Sequence, residues 1–240
     1  MPERYYGSRK NTDPLGINIY GEIPALCNHL LIAGATGAGK SVVLHGIIAE
    51  LLKKKNRPYL AFIDLKKVEM AEYKHLYNLF GYADTAFGAL CLLEDIRQEM
   101  ASRYNTMERQ HLKKWAGKEI YIIIDEFAEL LIDTKKKCNP LVQSIAQLGR
   151  ASGIHLVLAT QCPLKSIIDT PIKLNFDGLL ALRTRSAQDS RNIIGVAGAE
   201  KLPRNGKGIF VCPSLLAPEV VDLPLPSENA RERLIKMLSL

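Results

Sequence analysis

Residues 34–41 carry the spacing G-x-x-x-x-G-K-S, which is typical of a loop that binds phosphate groups. Its members are Gly34, Ala35, Thr36, Gly37, Ala38, Gly39, Lys40 and Ser41. Glycines tolerate the dihedral angles that turn backbone N–H groups toward an anion. We expect Lys40 to reach the β- and γ-phosphates of ATP and Ser41 to ligate Mg²⁺. A glycine-rich turn can match this spacing by chance, but here an apolar strand precedes it and an amphipathic helix follows.

A second chemical signal is the acidic pair that ends the apolar run 120–124. A strand of this kind places Asp125 where it can hold the Mg²⁺ coordination sphere. Glu126 is then positioned to polarise an attacking water as general base. An acidic pair at a strand end is often only a solvated turn, but with a phosphate-binding loop upstream it predicts hydrolysis of ATP.

Two further polar residues flank the apolar strand 155–160. Gln161 follows it, at the sheet edge where a parallel strand ends beside the phosphates, and is able to sense the γ-phosphate. Arg150 precedes it and has two interpretations: a finger reaching a neighbouring subunit's ATP, or a cation at a helix C-terminus. Spacing alone favours a surface residue for Gln161 and the helix-end cation for Arg150.

Short apolar runs alternate with helical patterns along the chain. We predict strands at 17–20, 30–33, 59–64, 120–124, 155–160, 178–182 and 209–212, and helices at 41–54, 85–109, 140–151, 186–194 and 228–238. This alternation predicts an α/β fold, with a mostly parallel sheet flanked by helices on both faces.

The bulk composition excludes several classes of protein. Five scattered cysteines form no C-x-x-C pair, so neither a disulfide framework nor a zinc site is indicated. No apolar run is long enough for a membrane span, and we expect a cytoplasmic protein. The net charge of +7 fits either solubility or a polyanionic partner such as nucleic acid. The lysine runs 53–55 and 135–137 are interpreted as solvated charge.

Taken in order, these blocks resemble the motor domain of the FtsK/SpoIIIE family, within the HerA–FtsK group of RecA-like P-loop ATPases. The resemblance runs from about residue 29 to residue 210. It rests on the segments HLLIAGATGAGKS (29–41), FIDLKKVE (62–69), EMASRY (99–104), IDEFAEL (124–130), QLGRASGIHLVLATQ (147–161), DSR (189–191), GAE (198–200) and GKGIF (206–210).

The resemblance implies a homo-hexameric ring that hydrolyses ATP between subunits and moves double-stranded DNA through its channel. It makes Arg150 the expected arginine finger, Gln161 the expected sensor and Arg191 an expected interface residue. Lys165 and Lys173 are expected to contact DNA phosphates. Two departures concern loops: Cys162 stands where the family commonly has arginine, and Leu65 where it has proline.

The expected organisation is a lead-in segment over 1–24, a RecA-like motor over 25–212, and a Pro-rich tether with an amphipathic helix over 213–240. We expect neither the family's membrane region nor its winged-helix domain in this sequence, which is interpreted as an excised motor domain or as a compact version from a plasmid, phage or integrative element. We therefore expect a minimal motor for chromosome, plasmid or mobile-element DNA, working with an anchoring, replication or segregation partner. The alternatives are an ATPase that powers protein secretion, and an ATP-binding adaptor that recruits partners without translocating.

Overall fold

The computed structural model describes residues 27–161 and 173–223, together with residues 232, 235, 236 and 239. Within these residues the chain forms one eight-stranded sheet in the order β3-β2-β4-β5-β1-β6-β7-β8. The strands are β1 (Leu30–Ala33), β2 (Tyr59–Ile63), β3 (Leu79–Ala83), β4 (Ile120–Ile124), β5 (Ile154–Thr160), β6 (Gly178–Ala181), β7 (Lys207–Val211) and β8 (Glu219–Asp222).

The strands from β3 to β6 in this order are parallel, whereas β7 and β8 continue the sheet antiparallel. A mostly parallel sheet is therefore confirmed. Parallel strands need long crossovers, and helices provide them. The helices are α1 (Lys40–Lys53), α2 (Ala86–Arg109), α3 (Phe127–Asp133), α4 (Asn139–Ser152) and α5 (Ala187–Ile194), with short 3₁₀ turns at Ala71–Tyr73 and Ala199–Lys201.

The side chains of alternate strand residues pack into two apolar layers, one on each face of the sheet. Leu31 faces the layer formed with α2, α3, α4 and α5. Ile32, the next residue, faces the layer formed with α1. Because successive side chains of a strand point to opposite faces, the continuous apolar runs of the central strands are what a sheet covered on both sides requires. The expectation of helices on both faces is confirmed.

Three elements were not anticipated from the sequence: β3, α3 and β8. Strand β8 lies inside the segment 213–240, where a Pro-rich tether and a helix were expected. The strand expected at 17–20 and the lead-in 1–24 lie outside the described residues, and of the helix expected at 228–238 only residues 232, 235 and 236 are described. The division into segments therefore stays a prediction. None of the described helices has both the length and the apolar character needed to cross a bilayer.

Candidate active site

The phosphate-binding loop leaves the carboxyl end of β1 and enters α1. Gly37 and Gly39 have φ angles of 74° and 94°, in the left-handed region that favours glycine. Gly39 is the residue just before α1, so the loop delivers its backbone N–H groups to a helix N-terminus. Lys40 is buried, and its Nζ donates to the carbonyl oxygen of Gly34 at 3.3 Å. The Lys40 side chain is thus folded back over the phosphate-binding loop to which it belongs.

Both flanks of the loop are fastened to neighbouring strands. The Gly34 amide donates to the Thr160 carbonyl at the end of β5 (3.3 Å), and the Ala35 amide donates to the Arg183 carbonyl beyond β6 (2.9 Å). A Cβ on Gly34 would lie 2.7 Å from the Cβ of Leu182, so only glycine fits there. The loop is therefore held between two strands instead of projecting freely from the sheet.

An open groove lies above this loop at the carboxyl ends of the parallel strands. Its lining contains most of the predicted nucleotide and metal residues: Thr36, Gly37, Gly39, Lys40, Ser41, Asp125 and Gln161. Binding sites of open α/β sheets form at this edge. The groove is also lined by five residues for which no role was expected from the sequence: Val42, Lys66, Val68, Glu69 and Asn205.

Three of these unanticipated lining residues come from the segment that follows β2. Asp64, the first residue after the strand, is buried and accepts from the Met70 amide at 2.9 Å. This contact holds the intervening turn, which presents Lys66 and Glu69 to the groove. Lys66 Nζ lies 3.3 Å from Glu129 Oε2 on α3. The segment 62–69 carries the family resemblance, and that was the one available signal for these residues.

Asn205 lies in the loop before β7, on the opposite side of the groove. With its amide oriented to satisfy both ends, its Nδ2 donates to the Gly37 carbonyl at 3.1 Å. This contact ties a late segment of the chain to the phosphate-binding loop. Nothing in the local sequence around Asn205 signals it, because the contact depends on how the sheet brings β7 near β1.

Asp125 directly follows β4 and lines the groove, as does a second acidic residue, Glu69. The pKa of the Asp125 carboxyl is raised to about 6, chiefly by burial and also by the nearby carboxylates of Glu69, Asp64 and Glu126, while Lys66 opposes the rise. This concentration of negative charge favours a cation. Ser41 lines the same groove, and a hydroxyl with one carboxylate is a donor set that suits Mg²⁺ when phosphate oxygens and water complete the octahedron. The residues present therefore fit the predicted ion.

Glu126 takes a different position from its neighbour. It is the residue just before α3, and its carboxylate turns to the end of β5. Oε1 accepts the Thr160 hydroxyl at 2.8 Å, and both oxygens lie 3.1 Å from the Gln161 amide. The Gln161 side chain in turn accepts the Thr36 hydroxyl at 2.7 Å. Gln161 is thus a bonded member of the site, while Glu126 stands hydrogen-bonded instead of facing an open groove.

Of the other predicted residues that the structure describes, Arg150, Arg191 and Lys173 do not line the groove. Arg150 is exposed on the last turn of α4, which precedes β5. The seven-residue strand β5 then spans about 20 Å before it reaches Gln161. Arg191 is exposed on α5. Lys173 donates to the Asn192 carbonyl at the end of α5, and Lys165 lies outside the described residues.

Comparisons with known proteins agree with this geometry. The sequence profile of the FtsK/SpoIIIE family matches residues 10–122 and 116–165. The DNA translocase FtsK of Chlorobaculum tepidum is 34% identical over 218 residues, covering 82% of this chain. The DNA translocase FtsK of Borreliella burgdorferi is 37% identical over 201 residues, covering 76%. The chain spans only 27% and 26% of the length of these two relatives.

Solved structures show the same fold. The conjugation coupling protein TcpA of pCW3, in a monomer form with ATPγS, superposes with a TM-score of 0.75 at 24% identity. This match covers 88% of the chain and 64% of TcpA. The cytoplasmic domain of the Type VII secretion ATPase EccC of Thermomonospora curvata gives a TM-score of 0.72 at 23% identity, covering 88% of the chain and 28% of EccC.

Proposed function

The chain belongs to the FtsK/SpoIIIE family, and on that premise we propose that it is an ATPase that moves double-stranded DNA. The observation that carries the proposal is the groove at the carboxyl edge of the sheet. There the phosphate-binding loop, Asp125 and Gln161 line one space, and the Glu126 carboxylate accepts a hydrogen bond from the Gln161 amide. These are the parts that hydrolysis of a nucleoside triphosphate needs.

Each residue has a definite task in the proposed reaction. The loop amides and Lys40 hold the β- and γ-phosphates, and Ser41 and Asp125 hold Mg²⁺. The ion, when bound, neutralises charge that develops on the phosphate oxygens. Glu126 orients the attacking water and accepts its proton. Because Glu126 is bonded to the end of β5 in this structure, it must leave those contacts before it can serve as the base.

The names of the relatives support DNA as the substrate, and the position of Arg150 supports assembly into a ring. Both curated relatives carry the name DNA translocase. Arg150 lies at the amino end of β5, at the opposite edge of the sheet from its own groove, so a finger role requires the groove of another subunit. We therefore propose that a homo-hexamer assembles with ATP between subunits, in the cytoplasm. Arg191, Lys165 and Lys173 remain proposals for the interface and for DNA phosphates, although Lys173 must first release the Asn192 carbonyl.

A second candidate is an ATPase that powers protein secretion. The likeness to EccC does not distinguish it from the translocase, because at 23% identity that likeness speaks only to the fold. An adaptor without turnover is less well supported, because Lys40, Asp125 and Glu126 are all present.

The test is ATP turnover by the full chain, measured with and without linear double-stranded DNA at low salt. We expect DNA to raise kcat at least tenfold, and the stimulation to fall as salt rises because phosphate contacts release counterions. Glu126→Gln is expected to keep ATP binding and to lose turnover by about 10³-fold. Turnover that DNA leaves unchanged would refute the translocase, and turnover that survives in Glu126→Gln would refute the assigned base.

A further inference from the structure

The register of the central strands brings three functional segments together at one point. Ile124 of β4 pairs with Leu158 of β5, so Glu126 falls beside Thr160 two residues later. Ala33 of β1 pairs with the same Thr160 on its other side. Thr160 therefore lies between the start of the phosphate-binding loop and the predicted base. It is fully buried, and a buried hydroxyl in such a place needs a partner.

A chain of hydrogen bonds runs through this point. Thr36 donates to the Gln161 side chain at 2.7 Å. The Gln161 backbone amide and the Thr160 hydroxyl both donate to the Glu126 carboxylate, at 3.1 Å and 2.8 Å. Thr36 belongs to the loop that would receive the triphosphate, and it is exposed to the groove. One end of this series of hydrogen bonds therefore lies in the groove, and the other end is at the predicted base.

We propose that Thr160 is a positioning residue that holds Glu126 in a resting orientation until a triphosphate enters the loop and displaces Thr36 from Gln161. The proposal rests on the proposed ATPase function. While its carboxylate accepts from the Thr160 hydroxyl and the Gln161 amide, Glu126 is not free to orient a water above the phosphates. Phosphate oxygens compete for the Thr36 hydroxyl, because charge-assisted hydrogen bonds are stronger than bonds between neutral groups. The Gln161 side chain then loses its hydrogen bond with Thr36, and the Gln161 backbone is able to shift. This shift weakens the hydrogen bond between the Gln161 amide and Glu126.

The first experiment replaces Thr160 by valine, which keeps the shape of the side chain and removes the hydroxyl. We expect the kcat of the full chain without DNA to rise about tenfold, because one hydrogen bond that restrains a charged group is lost. The KM for ATP is expected to stay within about twofold. Thr160→Ser retains the hydroxyl and is expected to restore the low rate.

Thr134→Val is the matched control. Thr134 is also a buried threonine, but its hydroxyl donates to the Leu130 carbonyl on α3. We expect this variant to have the wild-type rate without DNA. A Thr160→Val rate that is unchanged or lower would overturn the proposal, and so would an equal increase in Thr134→Val, since that would indicate general loosening.

A second readout does not depend on turnover or on DNA. The Gln161 amide is expected to exchange its hydrogen about tenfold faster once a non-hydrolysable ATP analogue and Mg²⁺ are bound to the wild-type chain, because it loses Glu126 as acceptor. Unchanged or slower exchange would overturn the proposal even if Thr160→Val fails to fold. A wild-type chain that shows this exchange change but no stimulation by DNA would refute the translocase and leave the role of Thr160 standing.

Discussion

Acidification should destabilise this fold through His29, which lies at the start of β1. The ring is buried, its Nδ1 accepts the Leu156 amide at 3.0 Å, and its Nε2 has no hydrogen-bond partner among the described residues. Burial lowers the pKa of His29 to about 4, with the nearby His155 and Arg150 acting in the same direction and Asp177 opposing them. The native structure therefore holds this imidazole neutral.

The size and sign of the effect follow from that lowered pKa. An unfolded histidine titrates near about 6.5, so the gap of roughly 2.5 pH units corresponds to about 3 kcal/mol of unfolding free energy. Because the folded pKa is the lower one, this contribution is fully present above pH 6.5. It is lost progressively as the pH falls toward 4, where the unfolded chain binds a proton that the folded chain does not.

The assay is urea denaturation at pH 7, 6, 5 and 4 for the wild-type chain and for His29→Asn. The carboxamide oxygen of asparagine preserves an acceptor for the Leu156 amide and does not titrate. We expect the variant to be less stable at pH 7, because it leaves a small cavity. Its deficit should then shrink by about 2–3 kcal/mol as the pH falls to 4. Stability curves that stay parallel across this range would refute the assignment of the effect to His29.

Two further predictions concern the segment around the end of α4. If Arg150 acts on a neighbouring subunit, mixing Arg150→Ala with Lys40→Ala chains should restore part of the DNA-stimulated ATPase activity that each variant lacks, and no recovery at any ratio would leave Arg150 as a helix-end cation. Arg103 is buried, donates to the carbonyls that end α4 and stacks on Trp115. Arg103→Met should therefore lower the unfolding free energy by about 2–4 kcal/mol in urea denaturation. Glu99→Gln, which alters only the half-buried ion-pair partner of Arg103, should cost less than about 1 kcal/mol. Equal losses in both variants would contradict the role of the buried carbonyl contacts.

Local patterns in the sequence were sufficient for the strongly apolar elements. The strands β1, β2, β4, β5 and β6 are short apolar runs, and the helical spacings before and after them match α1, α2, α4 and α5. Strand β3 was missed because Gly81 weakens its strand pattern, and four of its five residues are only partly buried at the edge of the sheet. Strand β8 was missed because prolines surround it, and its pairing partner is fixed by tertiary structure.

In the candidate active site, too, some features follow from local sequence patterns and others depend on tertiary structure. The spacing of the phosphate-binding loop and the acidic pair are local signals, and the groove contains them as expected. The contacts of Glu126 with Thr160 depend on the register between β4 and β5, which no local pattern encodes. Asn205 reaches Gly37 only because β7 folds back beside β6. Sequence alone therefore identified which residues do chemistry better than which residues hold them in place.

The position of β1 in the sheet has a consequence for the order in which the protein folds. Leu30 pairs with Val157 on one side and with Gly178 on the other. During synthesis at about 5–20 residues per second, β1 and its loop must wait many seconds before either neighbour exists. During that interval the unpaired apolar strand is able to form non-native strand pairs. The nucleotide site is thus among the last parts of the nascent chain to form, and contacts of such long sequence separation are expected to slow folding.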